Sequence, residues 1–459
     1  MFRATLACLI LLTSPLWAET RVPASQAEIS LGFVPVVKSA APAVVNIYAK
    51  RIVNVRASPF SNDPFFQNLF RDFGAPRQRV QNSLGSGVIL SGEGIVVSNY
   101  HVVGEATDIR VVLNDRREFS GRVLLSDEES DLAILQLDEA QDLPALPLRD
   151  SDTVEVGELV LAIGNPFGVG QTVSSGIVSG LARSGTAMGN TRGYFIQTDA
   201  PINPGNSGGA LVDVNGALIG INTSILSRSG GSNGIGFAIP SALVAEFVAQ
   251  AQAGKTRFER PWAGVTGQPV DADLAEVLQL DRPGGIVLSE FHEASPLKAA
   301  GLIPGDVITD VDGVAVNTPA EMVYRMTVAG LGQEAVVTRV REGRAEQVTL
   351  SLIAPPDDPP RGTLTTSRRT VFPGITLEQV NPAVIAEMGL PLNSQGVVVA
   401  DPGQTGARAG MQRGDILLGI NGKRVDSPEE AEAMLREVRG RLALDIGRGN
   451  RRVTLRFRL

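Results

Sequence analysis

Hydrophobic and polar positions divide the chain into stretches of different rhythm. From about residue 28 to 252, short apolar runs recur between glycine and Asn/Asp/Ser punctuation. Gly87-Val88-Ile89-Leu90, Ile95-Val96-Val97, Ile109-Arg110-Val111-Val112-Leu113, Leu132-Ala133-Ile134-Leu135-Gln136-Leu137 and Leu159-Val160-Leu161-Ala162-Ile163 are the clearest. Runs this short and this regularly interrupted predict an antiparallel barrel or sandwich. The rhythm breaks at Ser58–Asn82, where Phe60, Phe65, Phe66, Phe70 and Phe73 stand among polar residues and predict a long surface loop. It changes again at Pro240–Gln252, where Leu243, Phe247 and Val248 share one face of an amphipathic helix. Gly254-Lys255 closes this unit, which spans residues 28–253.

Beyond it the pattern repeats. Gly301-Leu302-Ile303-Pro304-Gly305-Asp306-Val307-Ile308 recurs as Gly410-Met411-Gln412-Arg413-Gly414-Asp415-Ile416-Leu417. Asp312-Gly313 recurs as Asn421-Gly422 and Pro319 as Pro428, all at an offset of 109 positions. The two units span residues 258–354 and 370–459. The cluster Pro355-Pro356-Asp357-Asp358-Pro359-Pro360 opens the stretch between them, 355–369, whose composition predicts an extended, semi-rigid linker.

At the other end, Arg3 precedes an apolar run, Ala4–Leu16, and Leu16-Trp17-Ala18 places a small residue before Glu19. This predicts a secretory signal over residues 1–18; the run is shorter than the roughly 20 residues that span a bilayer. The single cysteine, Cys8, lies inside it, so removal leaves no thiol. A count of 41 basic against 49 acidic residues in 459 gives a net charge of −8, which argues against nucleic acid as a partner and predicts at most peripheral membrane association. One cysteine excludes a disulfide framework and a thiolate zinc site, and two histidines speak against a histidine-rich metal site.

The candidate chemistry begins at Asn203-Pro204-Gly205-Asn206-Ser207-Gly208-Gly209. Its glycines permit backbone conformations that aim successive N–H groups at one point, beside the Ser207 hydroxyl. A serine nucleophile needs a base, and the choice lies between His101 and His292. His101 follows the strand Gly94–Val97 in the same unit and is favoured; His292 lies in the first repeat. An orienting carboxylate is available in Ser126-Asp127-Glu128-Glu129-Ser130-Asp131. Asp131 stands at the mouth of the buried run Leu132–Leu137, whereas Asp127 reads as a turn or surface residue. The order His, Asp, Ser is that of two-barrel serine proteases.

With these residues in place, the chain resembles the HtrA/Deg family of periplasmic serine endoproteases, in its Do-like form with two PDZ domains. The matching stretches are Leu84-Gly85-Ser86-Gly87-Val88-Ile89, Asn99-Tyr100-His101-Val102-Val103, Ser130-Asp131-Leu132-Ala133-Ile134-Leu135, Ala162-Ile163-Gly164-Asn165-Pro166-Phe167-Gly168, Gly205-Asn206-Ser207-Gly208-Gly209 and Gly234-Ile235-Gly236-Phe237-Ala238-Ile239-Pro240. The resemblance implies a mainly β chain: a chymotrypsin-like double β-barrel followed by two α+β PDZ domains. It maps His101, Asp131 and Ser207 onto a catalytic triad. It places the oxyanion hole at Gly205, Asn206 and Ser207, with the backbone N–H groups of Gly205 and Ser207 as donors. Thr223, Ile225 and Leu226 fall at substrate-pocket positions, and Arg183 and Phe167 at regulatory ones. No cofactor is implied.

The implied activity is ATP-independent degradation of unfolded proteins in the periplasm, alongside chaperone activity; no Walker-type motif is present. The competing class is a peptide-binding holdase with a silent protease domain. The implied partners are unfolded polypeptides, C-terminal peptides and copies of the same chain in a trimer or larger cage. PDZ domains receive peptides by strand addition, with a backbone loop around the terminal carboxylate. Trp262-Ala263-Gly264-Val265 and Phe372-Pro373-Gly374-Ile375 are the loop candidates. Pro373 has no N–H to donate, so peptide binding is expected at the first repeat and scaffolding or assembly at the second.

Overall fold

The computed structural model describes residues 32–54, 78–165, 170–181, 194–203, 205–225, 234–449 and 451–458. Most of the expected surface loop, and Phe167, Arg183 and Leu226, lie outside the described residues.

The first unit is two closed antiparallel barrels. Strands β1 (Val44–Asn54), β2 (Gln78–Ile89), β3 (Ile95–Ser98), β4 (Asp108–Val112), β5 (Glu118–Asp127) and β6 (Leu132–Leu137) close in the order β1-β2-β3-β6-β5-β4. Strands β7 (Leu159–Gly164), β8 (Thr172–Gly180), β9 (Ile196–Thr198), β10 (Ala210–Asp213), β11 (Leu218–Ile225) and β12 (Gly236–Pro240) close as β10-β11-β12-β9-β8-β7. Sequence patterning follows from this geometry. The strands β3 and β10, and Leu132–Leu135 of β6, are buried at every position, because one face fills a barrel and the other is covered by neighbouring elements. Strand β5, partly facing solvent, alternates instead. One apolar cluster runs from the first barrel through Ile163, Ala210 and Val212 of the second, joining the two.

Helix α1 (Val34–Ala40) leads into β1 and the short helix α2 (Tyr100–Val103) follows β3. Helix α3 (Ser241–Gln252) forms where the apolar period predicted it and buries Leu243, Val244 and Phe247 against the same cluster. Complete burial of one such side chain contributes about 1.5–3 kcal/mol.

Each repeat is a sheet beside helices. The first pairs β13 (Val265–Pro269), β14 (Ile286–Phe291), β15 (Val307–Val311), β17 (Glu334–Arg341) and β18 (Arg344–Ser351) in that order, with β16 (Val314–Ala315) beside β15. The second orders β19 (Leu364–Thr365), β20 (Thr376–Gln379), β21 (Val397–Asp401), β22 (Ile416–Ile420), β24 (Arg441–Arg448) and β25 (Arg451–Arg458), with β23 (Lys423–Arg424) beside β22. The stretch expected to be a linker is therefore corrected in one respect: Leu364-Thr365 is a strand of the second sheet, paired with Leu377 and Thr376. Proline content marks the preceding residues as extended but does not reveal which edge they meet.

Side chains explain why the repeated motifs take their form. Asp306 is fully buried and accepts a two-pronged bond from Arg341 at 2.6 and 2.7 Å, plus the Ile303 N–H at 2.9 Å. Asp415 does the same with Arg448 at 2.7 and 2.7 Å and the Gln412 N–H at 2.8 Å. Burial pushes the Asp306 carboxyl up, but the Arg341 fork and the Ile303 N–H outweigh it and hold it below the usual range. The repeated prolines open helices α4 (Pro319–Ala329) and α5 (Pro428–Glu437). Thr318 and Ser427 cap them through the N–H groups of Glu321 and Glu430, and both glutamates reach back to the N–H of the residue before the cap, Asn317 and Asp426.

The first repeat is docked on the barrels. Tyr324 of α4 stacks on Tyr194 with ring centres 4.0 Å apart, and Arg325 reaches the Tyr194 hydroxyl at 2.8 Å and Asp152 at 2.6 Å.

Replacement of Asp415 by alanine leaves Arg448 without its fork. Because Arg448 stays partly solvated, the expected loss is about 2–3 kcal/mol of stability, read as an earlier calorimetric transition for the second repeat with the barrel transition unmoved.

Candidate active site

Loops from the two barrels meet at one point. Between β3 and α2, the Asn99 side chain donates to the Asp131 carbonyl at 2.8 Å, joining the His101 turn to the Asp131 turn. Asp131 takes a left-handed backbone (φ 52°), and its carboxylate turns to His101. His101 Nδ1 lies 2.9 Å from both Asp131 oxygens, and the His101 N–H donates to Oδ1 at 3.0 Å. This orients the ring and selects the tautomer that carries its proton on Nδ1. The Asp131 side chain is 18% exposed and that of His101 51% exposed, so the carboxylate is sheltered and the imidazole faces the open side.

Ser207 comes from the loop before β10. Its carbonyl accepts from the Ser86 N–H at 2.9 Å, and the Ser86 hydroxyl donates to the Gly205 carbonyl at 2.7 Å while accepting from the Asn165 N–H at 2.8 Å. Ser86 itself is held by Ser98, whose hydroxyl donates to the Ser86 carbonyl at 2.8 Å. Gly208 has φ +82°, and a Cβ there would lie 2.1 Å from the Ser86 carbonyl oxygen, so no other residue fits. The loop is also pinned to β11: the Gly208 N–H donates to Asn222 O at 2.8 Å and the Asn222 N–H to Gly209 O at 2.9 Å.

The Ser207 hydroxyl donates to the Thr223 carbonyl at 2.8 Å rather than to His101. Thr223, expected at the substrate pocket, also reaches the carboxylate. Its own hydroxyl donates to Asp131 Oδ2 at 2.6 Å, so one residue of β11 touches both the serine and the carboxylate. The Asn206 N–H is taken by Asn203 O at 2.9 Å, so it is not free to serve as a donor to an oxyanion. Ile225 ends β11, with its side chain outside the described residues.

Asp127, read from sequence as a turn or surface residue, organises the Asp131 turn. It accepts the Ser130 N–H at 2.8 Å and the Arg260 guanidinium at 2.5 Å, while Arg260 also donates to the Ser130 hydroxyl at 2.6 Å. Arg260 comes from the segment entering the first repeat. The glycines flanking Ser86 are the one sequence signal that marks it: a Cβ at Gly85 would lie 2.7 Å from Val102 and 3.3 Å from Ser207 O. Arg260 carries no comparable signal.

The loop Trp262-Ala263-Gly264-Val265 stands apart, in the first repeat. The Ala263 carbonyl accepts the Ser295 hydroxyl at 2.6 Å and the Gly264 carbonyl the His292 N–H at 2.9 Å. His292 meets the Trp262 ring edge-on at 5.3 Å and accepts the Ala294 N–H on Nδ1 at 3.1 Å. Burial pushes the His292 imidazole below its ordinary pKa, with Lys298 adding to the effect and Glu293 opposing it. Its chemistry is that of a packed loop residue and not of a base for Ser207.

Known proteins are similar to this chain in sequence and fold. A trypsin-like peptidase domain model matches residues 85–221, and PDZ domain models match 264–352 and 396–458. The chain is 37% identical, over 94% of its length and 93% of the relative's, to a probable periplasmic serine protease do/HhoA-like of Haemophilus influenzae. It is 36% identical to the periplasmic pH-dependent serine endoprotease DegQ of Escherichia coli, over 92% of this chain and 90% of that one. Among solved structures, the HtrA-type protease AlgW with decapeptide is 41% identical and matches with a TM-score of 0.53, over 71% of this chain and 99% of that one.

Thr223→Val keeps the backbone carbonyl but removes the hydroxyl bond to Asp131. A hydrogen bond to a charged group is worth about 1.5–3 kcal/mol, so a fall in kcat of at least about tenfold is expected with KM little changed. In the first repeat, a histidine whose folded pKa is depressed resists protonation that the unfolded chain accepts near pH 6.5. Stability of that repeat is expected to fall as pH drops below about 6.5 and to level off below the folded pKa. His292→Gln should flatten this slope in thermal melts across pH; equal slopes would remove the assignment.

Proposed function

The chain belongs to the HtrA/Deg family of trypsin-like, PDZ-containing serine endoproteases, and on that footing we propose that it cleaves unfolded polypeptides in the periplasm, without nucleotide, once residues 1–18 are removed. The observation that carries this reading is the approach of His101 Nδ1 to both Asp131 oxygens at 2.9 Å, beside a serine loop built around Gly208.

In this mechanism the Ser207 hydroxyl leaves the Thr223 carbonyl and turns to His101 Nε2. His101 takes its proton as the oxygen attacks the peptide carbonyl, and Asp131 stabilises the imidazolium. The backbone N–H groups of Gly205 and Ser207 receive the oxyanion, each contributing roughly 2.7–4 kcal/mol in such sites. His101 then protonates the leaving amine, and water, activated by the same imidazole, hydrolyses the acyl-enzyme. The loop that carries Ser207 is held by Ser86 while its side chain turns.

Ile225 and Leu226 would set the preference for small or apolar residues before the scissile bond, and Phe167 and Arg183 would govern activation. Peptide capture is assigned to the first repeat. Its strand β13 has β14 on one edge and, among the described residues, no strand on the other, so an extended peptide can add there with its carboxylate at Trp262–Val265. The structurally similar protease AlgW is described with decapeptide and with tripeptide, which supports peptide recognition by this arrangement. Assembly into trimers, and chaperone activity beside proteolysis, complete the reading.

Degradation of a denatured protein without nucleotide, followed by mass spectrometry of the products, tests it. Wild type should generate peptides cut after small or apolar residues. Ser207→Ala should give none, and Asp131→Asn should lower kcat by about 10⁴-fold. Undiminished cleavage by Ser207→Ala would sink the assignment.

A further inference from the structure

The two repeats share motifs, caps and a buried Asp–Arg pair, yet they differ where a PDZ domain takes its ligand. In the first repeat, β13 is the outermost strand of its sheet among the described residues. In the second, the corresponding strand β20 is flanked on both sides, by β21 and by β19. The chain's own residues cover the edge to which a peptide would add.

The cover extends along the whole strand. The Gln379 N–H donates to Arg361 O at 2.6 Å; Leu364 and Thr365 pair with Leu377 and Thr376; and the Thr366 N–H donates to Ile375 O at 2.8 Å. At the end of this ladder Thr366 enters the loop Phe372-Pro373-Gly374-Ile375. Its carbonyl accepts the Gly374 N–H at 3.0 Å and its hydroxyl accepts the Ile375 N–H at 2.9 Å. The same hydroxyl donates to Phe372 O at 2.7 Å, and Thr366 is 3% exposed. Pro373 has no N–H, so two of the three N–H groups that this loop can offer a carboxylate are already taken by two oxygens of one threonine.

The segment then crosses to the facing helix. The Ser367 N–H donates to Glu432 Oε1 at 3.2 Å and the Val371 N–H to Leu435 O at 3.4 Å, both on α5. It thus lies between strand and helix, the position of a bound peptide, antiparallel to β20 as an added strand can be. Arg361 anchors its start through Glu387 at 2.9 and 3.1 Å.

We propose that the peptide groove of the second repeat is filled in cis by residues 361–370, with Thr366 in the place of a ligand's terminal carboxylate, so that a free peptide binds there only by displacing this segment. The ligand class is an extended C-terminal peptide resembling the occupant. The groove becomes a second site when the segment leaves and is closed while it stays. Prolines at positions 355, 356, 359 and 360 restrict the backbone of the stretch before it, which lowers the entropy lost on docking.

Two experiments on the full chain lacking residues 1–18, in a Ser207→Ala background, test this independently of proteolysis. The hydroxyls of Thr365 and Thr376 lie 3.1 Å apart. The double variant Thr365→Cys, Thr376→Cys in this otherwise thiol-free chain should therefore form an internal disulfide on mild oxidation. Failure to close while the repeat remains folded overturns the placement. The second probe is the hexapeptide Arg-Gly-Thr-Leu-Thr-Thr with a free carboxylate, its footprint read by hydrogen exchange over Thr376–Gln379. Thr366→Pro, which removes the N–H and hydroxyl that dock the segment, should bind it at least about tenfold more tightly than the parent. The oxidised cysteine pair should show no footprint, and the amidated hexapeptide should bind more weakly than the acid. Equal affinity of parent and variant, or a footprint on the oxidised chain, overturns the proposal. If Thr366→Pro loses exchange protection in β22, Thr366→Ala replaces it with the same expected direction, and equal affinity again decides against.

Discussion

The Ser86 hydroxyl joins two barrels that nothing covalent keeps in register at this point. It gives its proton to Gly205 O and receives the Asn165 N–H, while the adjacent backbone N–H holds Ser207 O. His101 and Asp131 follow strands of the first barrel and Ser207 lies in a loop of the second, so these three side chains meet only as well as the barrels do. Ser86 is fully buried. Without its hydroxyl, the buried Asn165 N–H loses its partner at about 1–3 kcal/mol, and the half-buried Gly205 carbonyl loses its donor. A shift of about 1 Å in a catalytic group costs on the order of 10²-fold in rate, so that hydrogen bond matters more for alignment than for stability. Gly208 makes the approach possible, because any side chain there would occupy the space of the Ser86 carbonyl.

Much of this was legible in the residues themselves. Strand rhythm marked an antiparallel barrel or sandwich, the period of Pro240–Gln252 marked α3, and a fixed offset exposed the repeats. Asp131 was readable because it stands before a long apolar run, and His101 because only two histidines exist. What escaped has a common cause: it depends on the direction of a backbone group or on a partner far along the chain. Thr223 lies where a pocket was expected, yet its side chain points to Asp131. Asn206 has its N–H turned back to Asn203. Leu364-Thr365 has the composition of a linker and becomes a strand only because β20 presents an open edge. Asp127 looked superficial because its partner, Arg260, lies 133 residues away.

The repeats show how far shared motifs constrain shared use. Asp306 with Arg341 and Asp415 with Arg448 close the same turn, and the Thr/Ser-Pro-x-Glu starts of α4 and α5 form the same cap. The carboxylates are buried and must find partners, the caps satisfy the first N–H groups of their helices, and both recur. The groove edges are under no such demand, because an exposed strand edge is satisfied equally by water, a ligand or the chain itself. Divergence is concentrated there, with β13 open and β20 covered.

Arg260 gives the link between barrels and first repeat a mechanical character. One residue separates it from Trp262, the first residue of the peptide loop, and its guanidinium grips Asp127 and Ser130 in the turn that ends at Asp131. So short a tether has almost no slack. The turn that carries Asp131 and the first residues of the folded repeat are thereby held as one piece, so the placement of the carboxylate beside His101 is tied to where that repeat is docked.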